Sequence, residues 1–575
     1  METILLMLVA FAAYIAAYHT YGKYLARRIF KLDPTAPVPS RELADGVDYV
    51  ASEKGVIFGH HFTSIAGTGP IVGPAIGVIW GWLPALLWIV FGSIFMGAVH
   101  DFGSLVVSMR HQGKSVSDIA AKYINARVRF MFFLVVFLAL LIIIAIFGVV
   151  IAVVFKFFPS SIIPVWAQIP IAILLGYFVY KKNANITLAT TIAVICMYGF
   201  VLLGAFVQSH WPGACTIPEF AAMPSTGSWT IILLIYAFIA SILPVTTLLQ
   251  PRDYTNAWQL FVMLGILVVS VIFTGFGGNL ELVAPAVNHS PTGAPPIWPF
   301  MFVTIACGAV SGFHSLVASG TTPKQVSYEQ DALFVGYGSM LLEGALAVLV
   351  LVCVAAGIGI AYTASDGSTL SGFAAWNTHY ASWSGAQGLG AKLTAVVVGA
   401  ANMMETIGLP KQVGTVLMGV FIASFAGTTL DTAVRLQRYI TSELACSMNL
   451  TKLSNKWTAT SFAVITAAIV AFATGADGKG AMVLWPLFGT VNQLLASLAL
   501  LVVTMYLKKK VGNKSLIAAF PCVFMLTITI WALVIKLKDF INGGDWLLIT
   551  LSSMILVLAV WMFIETAILF CKKNS

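Results

Sequence analysis

Charge is what this sequence has least of. Only 9% of its 575 residues are Asp, Glu, Lys or Arg, against roughly a quarter in an ordinary soluble domain, too few to clothe a water-facing surface. No CxxC pair occurs among Cys196, Cys215, Cys307, Cys353, Cys446, Cys522 and Cys571, and since most sit in apolar stretches they are read as core residues. HExxH, GxSxG and any cofactor-binding loop are missing as well, so a membrane enzyme has no motif to rest on. No polar segment is long enough for a signalling domain. The N-terminal run METILLMLVAFAAYIAAYHTYGKY has no basic stretch ahead of it and carries Glu2. It is expected to stay as a first crossing rather than leave as a signal peptide.

Hydrophobic residues, in contrast, make up 59% of the chain. A helix needs about 20 apolar residues to cross a hydrocarbon core roughly 30 Å thick. Such runs begin near Ile4, Phe58, Leu83, Phe130, Ile169, Ile186, Trp229, Trp258, Ile297, Ala332, Val413, Thr458, Met482, Leu516 and Trp546. The formal charge of +9 falls in the short loops between runs, where it sets topology rather than attracting nucleic acid. Lys23, Arg27, Arg28, Lys31, Arg41 and Lys54 follow the first run, and no Lys or Arg precedes it, so the N-terminus is expected outside. Strict alternation then puts Arg110 to Arg129, Lys181, Arg252 and Lys324 inside, and the base-free loops 209–228 and 281–296 outside. It fails only near residue 390. With the run from Leu389 to Met404 taken as re-entrant or lying along the surface, Arg435, Arg438 and Lys508 to Lys510 stay inside and the C-terminus at Lys572 is cytoplasmic. The expected architecture is all-α: a polytopic bundle of about 15 to 16 spans.

Breaks in those spans mark the chemistry. Gly59 to Pro74 reads GHHFTSIAGTGPIVGP, a density of Gly and Pro that no continuous helix favours. An unwound stretch inside a bilayer leaves amides and carbonyls unpaired at several kcal/mol each, unless protein, water or ligand satisfies them. Freed amides at a half-helix N-terminus suit a carboxylate, and Thr63, Ser64 and Thr68 add hydroxyls. The bland alternative is a kink made by small residues for packing. A second string, His314-Ser315-Leu316-Val317-Ala318-Ser319-Gly320-Thr321-Thr322-Pro323, shares its spacing with the first: His, five residues, Gly-Thr, one residue, Pro. That fits an inverted repeat with two interrupted helices, though the strings fall at different depths of their spans. A third, Ala426 to Asp431, is expected to end the helix starting near Val413 and to line the same vestibule.

Ionisable residues within apolar runs are costly and point to function. His100 and Asp101 lie in GAVHDFG and are read as a proton-handling pair, against the plainer reading of a helix-packing pair. Metal binding by His60, His61, His100 and His314 is the weaker reading, because adjacent His60 and His61 point about 100° apart on a helix. Neither a metal nor a cofactor is expected. Asp253 beside Arg252 reads as a local ion pair at a helix end, and Glu343 and Glu405 stand out without nameable partners.

The strings FGHHFTSIAGTGP, WGWLPA, GAVHDF, LLQPRDY, GFHS and GTTLDT resemble the carbon starvation protein A family, over most of the chain to about residue 510. The resemblance implies a bacterial inner-membrane transporter linked to peptide uptake, with some proton-coupled pyruvate carriers among its relatives. It also implies the fold of amino-acid, polyamine and organocation carriers. Residues 1–330 are expected to form the transporter core, 331–510 its C-terminal membrane part, and 511–575 two added helices. The expected cargo is a small carboxylate-bearing nutrient, peptide first and pyruvate as the alternative, moving with protons through a lipid bilayer. A channel or a membrane enzyme built on the His and Asp residues is the rival. Substrate contacts are assigned to His61, Thr63, Ser64, Gly67, Thr68, Gly69, Pro70, His314, Ser319, Gly320, Thr321 and Thr322, and proton coupling to His60, His100, Asp101 and Asp431.

Overall fold

The computed structural model describes residues 1–214, 216, 223–364 and 366–571, so Cys215 and the C-terminal Lys572 lie outside the described residues. The described residues are mostly helix joined by loops. Their strand content is a two-strand ribbon, Tyr362–Thr363 against Thr369–Leu370, antiparallel with Tyr362 opposite Leu370.

Among the described residues, eleven helical stretches are long and apolar enough to cross a membrane, or twelve if the bent pair Lys54–Ala66 and Gly69–Trp80 is one span. This is fewer than apolar runs alone suggest, for a physical reason. The stretch 479–543 holds two helices, Trp485–Val511 and Leu516–Gly543, joined by a single tight turn. Other runs form helices too short to pass: Ile297–Thr304, Gly312–Gly320, Lys456–Ala471 and Leu389–Glu405. The last does not lie along the surface. Its small residues let it pack inside the bundle against Ser339–Ala355 and Lys411–Ser447, with Gly399 so close to the Cys353 carbonyl that no Cβ fits there.

Burial sorts the helices into shells. Ile186–His210 turns Leu188, Ile192, Ile195, Leu202 and Phe206 outward at helical spacing, while Thr190, Ala193, Met197 and Val201 face protein. In water that outer face would be a fault; in lipid it is the surface. Ala126–Phe157, Ser339–Ala355 and Lys411–Ser447 are buried over most of their length and form the centre. Helices gain no hydrophobic driving force against each other in lipid, so close packing and interhelical hydrogen bonds hold the centre together. The third sequence string does not end its helix: Lys411–Ser447 runs unbroken for 37 residues through Ala426 to Asp431. Gly427 and the threonines are accommodated there by close neighbours, Gly427 against the Arg252 guanidinium and Thr428 donating to the Thr63 carbonyl at 3.0 Å.

Candidate functional site

The first interruption is short. Lys54–Ala66 is a continuous helix despite its glycine and histidines, and the chain breaks only at Gly67 and Thr68 before Gly69–Gly77 resumes, bent by 43°. Gly67 sits at φ 45° and ψ −150°, which L side chains rarely adopt, and a Cβ there would stand 2.7 Å from Thr429 Oγ1. The Thr68 carbonyl accepts from the Ile71 and Val72 amides, and Pro70 occupies the first turn, where its missing N–H is no loss.

The second interruption is longer and lies upstream of the second sequence string. Ile297–Thr304 ends, residues 305–311 run without continuous helix, and Gly312–Gly320 begins. The string similarity therefore misplaces this break, because what starts the half-helix is a contact from elsewhere in the chain. Asn492 Oδ1 accepts from the Phe313 amide at 3.0 Å while its Nδ2 donates to Ser311 Oγ at 3.0 Å, an N-terminal cap supplied by a neighbouring helix. The two breaks face each other: Gly69 lies against Cys307, Gly73 against the Thr304 carbonyl and Gly77 against Ile305. A cavity of about 490 Å³ opens beside them, lined by Gly69, Gly73, Cys307, Trp383, Lys392, Trp485, Lys536 and Asp539 among others.

Behind Cys307 lies a group of ionisable residues with no solvent exposure. His100 Nδ1 is 2.7 Å from Asp101 Oδ1, and His314 Nδ1 is 3.0 Å from Asp101 Oδ2. The other His314 nitrogen is 3.3 Å from Glu343 Oε2, close but not aligned as a hydrogen bond, and neither Glu343 oxygen has another partner among the described residues. A carboxylate accepts, so both imidazoles direct an Nδ1–H at Asp101. A proton on His314 Nε2 or on Glu343 would let these two groups pair. Without it a neutral imidazole lone pair faces a carboxylate in a dry interior, an expensive arrangement. Cys307, His314 and Glu343 each offer an atom within 4.8 Å of the others, a donor set of the kind that holds a divalent cation. His314 already lies between two carboxylates and Cys307 Sγ donates to Ser311 Oγ at 3.4 Å, so both groups have protein neighbours.

A second buried group meets the first broken helix at His60 and Ser64. His60 Nδ1 meets Asp253 Oδ2 at 2.5 Å, and Ser64 Oγ reaches the same oxygen at 3.4 Å and Thr432 Oγ1 at 3.1 Å. Arg252 donates to Asp431 and, at 2.6 Å, to the Tyr236 hydroxyl, which in turn donates to Asp431 at 2.8 Å. Asp253 is thus no partner of Arg252: side chains adjacent on a helix diverge by about 100°, and these two reach different neighbours.

The assigned residues separate by place. Gly67 and Thr68 form the first break, Gly69 and Pro70 open the half-helix after it, and of these four Gly69 lines the cavity. His61 Nδ1 is 2.8 Å from Thr322 Oγ1, which ties the two strings together. Thr63 Oγ1 donates to the Gly59 carbonyl, and Ser64 belongs to the Asp253 group. Ser319, Gly320 and Thr321 do not reach the cavity: Ser319 accepts from the Val116 amide, Gly320 packs on Leu436, and Thr321 turns back to Val317. Sequence reasoning missed Cys307, Lys392 and Asn492 as site residues and gave Asp253 the wrong partner; Asn492 carries no local signal at all. Glu343 was legible as an intramembrane acid, and its partner was not. Glu405 is exposed at a helix end. Asp48, in the loop before the first broken helix, receives Arg435 at 2.8 Å and Arg438 at 2.9 Å. Burial alone would raise the Asp48 carboxyl, but Arg435, Arg438 and Lys324 together hold it below the ordinary carboxylate value.

The family model of carbon starvation protein CstA matches residues 2–532. A peptide transporter CstA of Helicobacter pylori is 33% identical over 577 residues, covering 94% of this chain and 83% of its own. The pyruvate/proton symporter BtsT of Escherichia coli is 30% identical, covering 92% and 80%. Among solved structures, a manganese transporter of Eremococcus coleocola superposes with a TM-score of 0.52 at 12% identity, covering 91% of this chain and 99% of that one. At that identity the likeness is one of fold.

Proposed function

We propose that this chain, which belongs to the carbon starvation protein CstA family, is a multi-pass secondary transporter that imports short peptides across a bacterial inner membrane together with protons. The observation that carries this reading is the meeting of two broken helices at a cavity of about 490 Å³, with the Asp101, His314 and Glu343 group one residue behind its wall at Cys307. The cavity is of ligand size, and broken helices are where membrane transporters bind cargo. The family's peptide transporters support a peptide substrate, and the pyruvate/proton symporter among the relatives supports proton coupling.

In this reading Gly69 stands at the substrate cavity and Gly67, Thr68 and Pro70 shape the bend beside it, while His61 and Thr322 tie the two strings together, Thr63 and Ser64 steady the first half-helix, and His314 belongs to the group behind Cys307. Ser319, Gly320 and Thr321 hold the base of the second half-helix. His100 and Asp101 orient His314 so that one proton moves between His314 Nε2 and Glu343, while His60 and Asp431 belong to the second buried group. The short-loop charge rule assigns the cavity to the outer face, with the N-terminus outside and the C-terminus cytoplasmic. The Asp48 ties to Arg435 and Arg438 then close the inner face. Residues 1–510 supply most of the transport core, Leu516–Gly543 adds Lys536 and Asp539 to the cavity wall, and Trp546–Cys571 packs against it and Trp485–Val511.

The test is uptake into proteoliposomes of a labelled dipeptide and of labelled pyruvate, side by side, under an imposed inward proton gradient with an ionophore control. Saturable, ionophore-sensitive dipeptide uptake is expected, with gradient-driven accumulation lost in Asp101→Asn. Pyruvate uptake alone would replace the substrate, and unchanged accumulation in Asp101→Asn would remove that residue from coupling.

A further inference from the structure

The cavity carries one charge that the protein leaves unanswered. Lys392, on the Leu389–Glu405 helix, lines the cavity with only 6% of its surface exposed, and no ion pair or hydrogen bond engages its ammonium among the described residues. Its nearest polar support is the face of Trp485, 5.4 Å from Nζ to the ring centroid, near the outer limit of a cation–π contact. A second lysine, Lys536, already donates to the Pro486 carbonyl. Asp539, one turn further on the same helix, is exposed at the cavity edge. A buried ammonium without a counter-charge is among the costliest arrangements a membrane protein can hold.

We propose, resting on the transporter reading above, that Lys392 is the anchor for the substrate's carboxylate. Three features bear on the ligand class. The ammonium faces a cavity that also receives the N-terminal end of the Gly69–Gly77 half-helix, whose dipole, like the ammonium, favours an anion. Trp383, Trp485, Phe300 and Phe488 give the remaining wall an aromatic character suited to apolar side chains. The volume exceeds what a carboxylate alone requires. Together these describe a short peptide with a free C-terminus, its carboxylate on Lys392 and its side chains against the aromatic wall. A 2-oxo acid shares the carboxylate and would use the same anchor without filling the wall.

The test is competition binding on the full-length protein in detergent, with an alanyl-phenylalanine probe, its C-terminal amide and pyruvate as the three ligands. Charge-assisted hydrogen bonds of this kind support roughly 10- to 100-fold discrimination. The wild type is therefore expected to prefer the free acid over the amide by that factor, Lys392→Met to lose the preference, and Lys392→Arg to keep most of it. A melting temperature in detergent equal to wild type shows that the Met variant is folded. An acid preference that survives in Lys392→Met overturns the anchor and leaves the transporter reading standing. Pyruvate binding that depends on Lys392 where neither dipeptide ligand binds wild type would keep the anchor and overturn the peptide. No binding of any of the three to wild type overturns both.

Discussion

Asp431 is the position where a single atom change has the most calculable consequence. Asp431→Asn keeps the shape and an acceptor for the Tyr236 hydroxyl, yet leaves the Arg252 guanidinium, 2% exposed, with no carboxylate. Removing one partner of a buried ion pair typically costs about 3–5 kcal/mol. The retained Tyr236 contact places this case near the lower end, about 3 kcal/mol. Unfolding entropy near 2.1 cal/mol/K per residue, over 575 residues, is about 1.2 kcal/mol/K. The expected fall in melting temperature in detergent is thus only about 2–3 °C, so the assay needs replicate thermal unfolding and a chemical denaturation midpoint beside it. The decisive arm is the double variant Arg252→Met with Asp431→Asn, which removes both charges and is expected to return to within about 1 kcal/mol of wild type. If the single variant loses no stability, or the double variant is as unstable as the two singles added, the buried pair is not what holds Leu249–Phe276 to Lys411–Ser447. Gradient-driven uptake by the double variant then separates roles. Recovery makes the pair structural, and continued loss of accumulation in a stable protein keeps Asp431 in coupling.

Two further outcomes follow from the geometry. Gly67→Ala forces a side chain into a left-handed backbone and against Thr429 Oγ1, costing roughly 1–2 kcal/mol for the backbone alone; thermal unfolding should show Gly67→Ala with Thr429→Ala recovering the steric part only, and full recovery would mean the backbone is unstrained. Asp48 has its carboxyl held below the ordinary value by Arg435, Arg438 and Lys324 against the effect of burial, so its ties are in place above the usual carboxylate pKa and are lost as pH falls through the lowered one. Between pH 5 and 8, in the proposed transport assay, Asp48→Asn should alter the rate while leaving the shape of its pH profile unchanged, and a profile that changes shape would make Asp48 a titrating group of the cycle.

Composition and periodicity were enough to read a membrane bundle, because lipid imposes the same demand on every span: apolar length and internally satisfied backbone. The break at Gly67 was legible for a related reason, since Gly-Thr-Gly-Pro removes both helix propensity and a donor at one point. The second break was not. Its position is decided by Asn492 capping Phe313 from a helix almost two hundred residues away, and nothing in Ile305 to Ser311 announces that cap.

The chain by itself determined that His100, Asp101 and Glu343 are too polar for their depth, because they stand within apolar runs, whereas Asp253 and Asp431 read as residues at helix ends. Helical spacing tells which face a residue occupies and says nothing about what faces it. Only the tertiary structure decided that Asp253 meets His60 rather than its neighbour Arg252, that His314 stands between Asp101 and Glu343, and that Lys392 lines a cavity where, among the described residues, no ion pair or hydrogen bond engages its ammonium. Those pairings span tens to hundreds of residues, and each exists because two helices pack closely enough for one buried charge to answer another.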